Sequence, residues 1–219
     1  MYLKHLSLAN YRNYTRLELD LQARIHVLQG ENAQGKTNLL ESIYYLATTK
    51  SPLASTERQI MNWEAEREVI PYARVRGVFV RGNDEHTIEI TLAKQSQSEG
   101  NGEAGWRRQI HLDGAPRRAI DIVGRLNAVL FLPEDIVIVS GSPGERRRYL
   151  DIALCQIDGV YCRTLARYNH IIEQRNALLK QIRERQARPS ELDYWDEQVA
   201  SLGGAVLARR LWAIRELGR

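Results

Sequence analysis

A chain of 219 residues with 43% hydrophobic content can bury one sizeable core plus an appendage, which excludes disordered and fibrous classes. Lys and Arg number 31 against 27 Asp and Glu, a net charge of +4 that is compatible with a polyanionic partner without demanding one. Cys155 and Cys162 lack the spacing of a zinc site and read as core thiols of a reducing compartment, while the absence of any membrane-length apolar run or signal-peptide pattern predicts a cytoplasmic protein.

Leu17, Leu19 and Leu21 alternate with polar residues, and Arg24 to Gln29 is β-prone, so strands are expected to lead into the loop that begins at Gly30. From Asn38 to Ala47, the positions Leu39, Leu40, Ile43, Tyr44 and Leu46 recur at helical spacing and predict a helix with that face on the core. Between Tyr72 and Leu112 the period becomes two, through Val75, Ile88, Ile90, Leu92, Ile110 and Leu112. Gly82-Asn83-Asp84 and a Gly/Ser-rich stretch over 95–105 interrupt it, which predicts an antiparallel subdomain with a mobile loop. Asp113-Gly114 and Pro116 mark a turn, and the apolar run Ala128 to Leu132 suits a buried strand.

The α/β lobe is expected to span 1–141, with 142–219 a helical arm region. Ser142 is placed to cap, Pro143 to sit in the first turn and Glu145 to close a capping box. Asp158-Gly159 interrupts the first helix. Leu165, Tyr168, Ile172, Leu179 and Ile182 in the second keep heptad-like spacing with Arg175 as a break, and Pro189 ends it. Ser190 is placed to cap a third helix, in which Leu192, Trp195, Val199, Leu202 and Val206 continue the seam. Two antiparallel helices zipped into a projecting arm fit this pattern; ordinary packing on the α/β core is the alternative.

Gly30-Glu31-Asn32-Ala33-Gln34-Gly35-Lys36-Thr37 matches the Walker A pattern G-x-x-x-x-G-K-[ST] in full, between a predicted strand and a predicted helix. Glycines let backbone N–H groups curl around phosphate oxygens, and the helix N-terminus adds partial positive charge. Lys36 would reach the β- and γ-phosphates, and the Thr37 hydroxyl would take one position around magnesium. ATP with Mg2+ is the expected ligand, although the loop alone leaves kinase, GTPase, helicase and ABC-type ATPase open.

Leu8-Ala9-Asn10-Tyr11-Arg12-Asn13-Tyr14, the segment GENAQGKTNLLESIYYL over 30–46, and Phe131-Leu132-Pro133-Glu134-Asp135 resemble the RecF family. So do Gly141-Ser142-Pro143, Glu145-Arg146-Arg147-Arg148-Tyr149-Leu150-Asp151 and Gln174-Arg175-Asn176-Ala177-Leu178-Leu179. The resemblance implies an α/β P-loop ATPase of ABC type, similar to SMC and Rad50 heads, with an antiparallel β subdomain and an appended helical arm. It implies ATP-dependent homodimerisation at full length, and action with RecO and RecR on double-stranded DNA and single-strand gaps to promote RecA loading. Residue by residue it marks Gly30 to Thr37 as the nucleotide loop, Asn32 and Asn38 as polar supports, and Arg12 and Asn13 as nucleotide neighbours. For Arg12 a solvated charge after a strand is an equal reading.

The sequence departs from the ABC pattern where a Q-loop glutamine is expected. Glu134 and Asp135 stand there, as substitutes through water or metal or, preferred, as a turn in which carboxylates open a helix. An apolar strand ending in paired acids and a signature motif are not found, and the sequence ends at Arg219 inside a helix-like run, so it reads as the N-terminal part of a longer protein with catalytic residues unassigned. Arg107-Arg108, Arg117-Arg118, Arg125 and Arg146 to Arg148 concentrate positive charge that duplex phosphates would favour. The rival readings are a P-loop kinase or GTPase, a nucleotide-binding adaptor, and another SMC-like head.

Overall fold

The computed structural model describes residues 1–22, 24–67, 69–94 and 106–218, so the expected mobile loop over 95–105 lies outside the described residues. The chain forms two compact units, Met1–Leu132 and Pro133–Arg219.

The first unit is built on a six-stranded sheet in the order β2-β1-β3-β4-β5-β6. The strands are β1 (Tyr2–Tyr11), β2 (Tyr14–Asp20), β3 (Tyr72–Arg81), β4 (Asp84–Lys94), β5 (Trp106–Leu112) and β6 (Ala115–Pro116), and every ladder is antiparallel. The period-two pattern sets which side chains face in: Leu6, Leu8, Val75, Phe79, Ile88, Ile90, Leu92 and Ile110 are all buried. Helix α1 (Lys36–Thr48) lies against them through Leu39, Tyr45, Leu46 and Ala47. Its close approach needs Gly77, where a Cβ would stand 2.7 Å from Leu46 Cδ1.

The face that α1 buries is rotated from the expected one. Leu40 is 42% exposed, whereas Glu41 and Ser42 are buried. A charged partner brought by the β1–β2 turn draws Glu41 inward, as described below, and periodicity counted on apolar residues misses a buried acid.

Two expected strands carry no ladder. Arg24 to Gln29 lies outside any helix or strand, with Ile25 and Val27 exposed at 82% and 86%. Ala128 to Leu132 likewise lies outside any helix or strand, and only Leu132 is buried while Val129 and Phe131 are exposed. Both have the composition of a strand, but neither joins a ladder among the described residues, and apolar β-propensity forms a ladder only where a neighbouring backbone supplies the matching hydrogen bonds.

On the solvent face of β1 and β2, His5 Nδ1 is 2.7 Å from Asp20 Oδ1 and His5 Nε2 is 3.0 Å from Glu18 Oε2. Hydrogen bonds to Asp20 and then Glu18 raise the imidazole above its ordinary 6.5. Stability from this cluster is therefore fully present below 6.5 and is lost as pH rises through the raised folded value. Thermal melting followed from acid to mildly alkaline pH should fall across that window, and His5→Gln should flatten the fall; an unchanged profile in the variant would refute the assignment.

The second unit contains α3 (Val137–Ser140), α4 (Pro143–Ile157), α5 (Gly159–Arg183) and α6 (Leu192–Leu217); the short α2 (Ala119–Ile122) belongs to the first unit. At the start of α4, Pro143 occupies the first turn as expected, but the Ser142 hydroxyl donates to the Glu145 carboxylate instead of closing a capping box with the backbone. Asp158 caps α5 by accepting from the backbone N–H groups of Val160 and Tyr161. Helix α5 ends at Arg183, before Pro189, which opens a short 3-10 turn, so α6 starts at Leu192 without a cap from Ser190.

Helices α5 and α6 run antiparallel. Asp158 meets Arg209, Tyr168 packs on Gly203 and Arg175 Nε donates to Asp196 Oδ1 at 2.6 Å. Arg175, expected as a break in the seam, is thus a cross-helix pin. Arg210 grips Asp151 of α4 through two hydrogen bonds of 2.8 and 2.7 Å, and Tyr161 donates to the same carboxylate. Cys155 and Cys162 are each half-buried and form no disulfide.

Candidate nucleotide site

Helix α1 starts directly from Gly35, whose φ of 94° lies in the left-handed region. No side chain caps this helix and no acidic residue sits in its first turn, so the partial positive charge of its N-terminus is not compensated by the protein. Gly30 to Gln34 precede it as an exposed segment outside helix and strand. Lys36 folds back over this loop, its Nζ donating to the carbonyls of Gly30 at 2.8 Å and Glu31 at 2.6 Å. Thr37 is exposed beside it.

The loop is held from behind by the β1–β2 turn. Tyr14 Oη donates to the Gly35 carbonyl at 3.2 Å, and Asn38 Nδ2 donates to Asn13 Oδ1 at 2.8 Å. Asn13 fills the space beside Gly35 so closely that a Cβ there would stand 2.4 Å from Asn13 Nδ2. Gly35→Ala therefore combines a strained φ with a clash. It should weaken binding of a fluorescent ATP analogue by about tenfold or more, and wild-type affinity would show that the loop tolerates the displacement.

The Arg12 side chain is held by protein groups. Its φ of 53° bends the chain, its backbone N–H donates to the Ile60 carbonyl at 2.8 Å, and its guanidinium grips Glu41 through Nε–Oε2 at 2.9 Å and Nη2–Oε1 at 2.6 Å. The third nitrogen, Nη1, donates to the Gln59 carbonyl at 2.8 Å. Ser51 donates to the same carboxylate and receives the backbone N–H groups of Leu53 and Ala54 at 3.0 and 2.8 Å. Glu41 is fully buried, and every guanidinium nitrogen of Arg12 is engaged by the protein. The geometry thus makes Arg12 a strut between the β1–β2 turn and α1.

Glu41, Ser51 and Tyr14 belong to this assembly and were not singled out by sequence reasoning. The available signal was an acid, Glu41, among the apolar positions of α1, which calls for a buried cation. Glu134 and Asp135 lie in a short 3-10 helix, Pro133–Ile136, that opens the second unit, whereas Thr37 belongs to the first. Arg107 and Arg108 alternate across the sheet: Arg107 is exposed, but Arg108 donates to the Thr49 carbonyl and pairs with Glu57. Arg118 pairs with Asp121, and Arg146 to Arg148 lie in the other unit.

Residues 1–185 match the family described as AAA ATPase domain. The chain belongs to that family. The likeness to RecF proteins holds along the whole chain. It is 44% identical over 223 residues to the DNA replication and repair protein RecF of Chloroflexus aurantiacus, covering 99% of this chain and 57% of that protein. It is 43% identical to the RecF of Roseiflexus castenholzii, again with 57% of the relative covered. A solved structure of the recombination mediator protein RecF bound to ATP superposes with a TM-score of 0.83 at 32% identity, over 99% of this chain and 54% of that one. The chain therefore spans a little over half the length of these relatives. The fold class read from the motifs, an α/β P-loop ATPase with an antiparallel subdomain and appended helices, agrees with these likenesses. Among the described residues no helix is long and apolar enough to cross a membrane.

Proposed function

We propose that this chain binds ATP with magnesium at Gly30 to Thr37 and forms the nucleotide-binding part of a RecF-type DNA repair protein. The observation that carries the reading is the uncapped N-terminus of α1, reached through a left-handed Gly35 beside which the Asn13 amide would have to shift to admit a side chain. An anion is what such an end lacks. The residues present fit the ligand: backbone N–H groups at the start of α1 would hold phosphate oxygens, Lys36, now donating to two loop carbonyls, would supply a cation to them, and Thr37 would offer a hydroxyl to the metal. Bound magnesium would neutralise phosphate charge. Asn13 and Asn38 hold the loop from outside, Arg12 acts through the turn, and Glu134 and Asp135 have no assigned part.

Binding rather than turnover is the activity proposed for these 219 residues, because the sequence holds no apolar strand ending in paired acids to orient a water. Dimerisation around ATP, partnership with RecO and RecR, and promotion of RecA loading at single-strand gaps are proposed for the longer protein, on the likeness to relatives named for DNA replication and repair. Equilibrium titration with a fluorescent ATP analogue tests the nucleotide reading. Saturable binding that ATP competes away, that GTP does not match, and that chelation weakens is expected. Equal competition by GTP would favour a general nucleotide adaptor, and no binding at all would end the proposal.

A further inference from the structure

The outer face of the sheet, opposite α1, is divided by charge, and strand register shows where the division falls. One row across the strands reads Arg16 on β2, Ala9 on β1, Arg74 on β3, Thr91 on β4 and Gln109 on β5. The next row towards the β1–β2 turn reads Tyr72, Ala93 and Arg107. These two rows hold three arginines and no acid. The rows on the other side hold Glu18, Asp20 and Glu89, together with His5 and Arg76.

The three arginines are little used by the protein. The Arg16 side chain is 81% exposed, and its nearest acid is Glu18 at 3.9 Å. Arg74 has a buried Nε with no hydrogen-bond partner, and Arg107 is exposed. Strands lie about 4.8 Å apart, so Arg16 to Arg74 and Arg74 to Arg107 each span roughly 10 to 12 Å, with only small or neutral side chains between them. A line of cations at this spacing follows a sugar–phosphate backbone, and a guanidinium fork suits phosphate oxygens.

We infer that Arg16, Arg74 and Arg107 form a phosphate-tracking surface for duplex DNA on the open face of the antiparallel sheet. The inference rests on the RecF-type reading above and adds to it the place of contact. The face meets the backbone through its cations, and the acidic rows set one edge of the track by repelling phosphate.

Counterion release supplies the test. Each phosphate contact contributes about 0.9 to the slope of log affinity against log salt. The chain should bind a labelled duplex with a negative slope, measured by anisotropy over a salt series. The triple variant Arg16→Gln, Arg74→Gln, Arg107→Gln should lower the slope by about 2 to 3 and weaken binding on the order of a hundredfold at about 0.1 M salt. Should the half-buried Arg74 position disturb folding, the pair Arg16→Gln and Arg107→Gln carries the test with a drop of about 2. As a charge-matched comparison, Arg183→Gln, Arg185→Gln, Arg188→Gln on the second unit should leave the slope unchanged. An unaltered slope in the sheet variants, an equal drop in the comparison, or no duplex binding by the parent chain would overturn the surface. ATP affinity measured in parallel reports separately on the nucleotide reading, which stands or falls without it.

Discussion

Lys36→Ala should weaken ATP binding about 10- to 100-fold, because hydrogen bonds to a charged group contribute about 1.5–3 kcal/mol and each 1.4 kcal/mol is a factor of ten. Without ligand the ammonium only bridges the carbonyls of Gly30 and Glu31 on an exposed loop, so its loss should leave the ligand-free melting temperature nearly unchanged. The split between affinity and stability is the informative part. In the parent chain, ATP at about a hundred times its Kd should stabilise the fold by about 2.7 kcal/mol, and at the same concentration this increment should fall to about 0.4–1.4 kcal/mol in the variant. A variant that keeps the full ATP-induced rise would remove Lys36 from the site.

The opposite signature is expected at the Arg12–Glu41 pair. Arg12→Ala strands a fully buried carboxylate, and breaking such a pair costs about 3–5 kcal/mol. In a chain of this size that is a fall in melting temperature on the order of 10 °C. Glu41→Ala should cost less, since the Arg12 side chain retains 18% exposure and can recover some hydration. Combining Arg12→Leu with Glu41→Leu should cost less than the two single changes added together, because neither charge is then left alone. If Arg12→Ala instead melted within about 1 kcal/mol of the parent yet lost ATP, the arginine would be a direct nucleotide contact and the strut description would fail.

The phosphate loop was legible in the sequence because its chemistry is local: two glycines, a lysine and a threonine at fixed spacing between a strand and a helix. Strands β3 to β5 were legible for a similar reason, since alternation sorts side chains between a buried and an open face. Glu41 was not, because a buried acid becomes intelligible only once Arg12, 29 positions earlier, is known to sit beside it. Arg24 to Gln29 and Ala128 to Leu132 show the converse failure. Their composition asks for a strand, but a ladder is a property of two segments, and neither segment joins a ladder among the described residues. The arginines misled in another way, for Arg107 and Arg108 are neighbours in sequence and on opposite faces of one strand.

The sheet order also bears on the route by which the chain reaches its native form. Four of the five ladders join consecutive strands, whereas β1 with β3 joins segments on either side of β2 and α1. Aligning Ala9 with Arg74 closes a loop of roughly 65 residues, an entropic demand about 2 kcal/mol above that of a short hairpin. That alignment is expected to be the slow event in refolding, with β3–β4 and β1–β2 forming ahead of it. Because α1 lies within the closed loop and packs on both β1 and β3, the phosphate-binding geometry should mature only with this last pairing, and substitutions along the β1–β3 ladder should retard recovery of ATP binding in step with recovery of the fold.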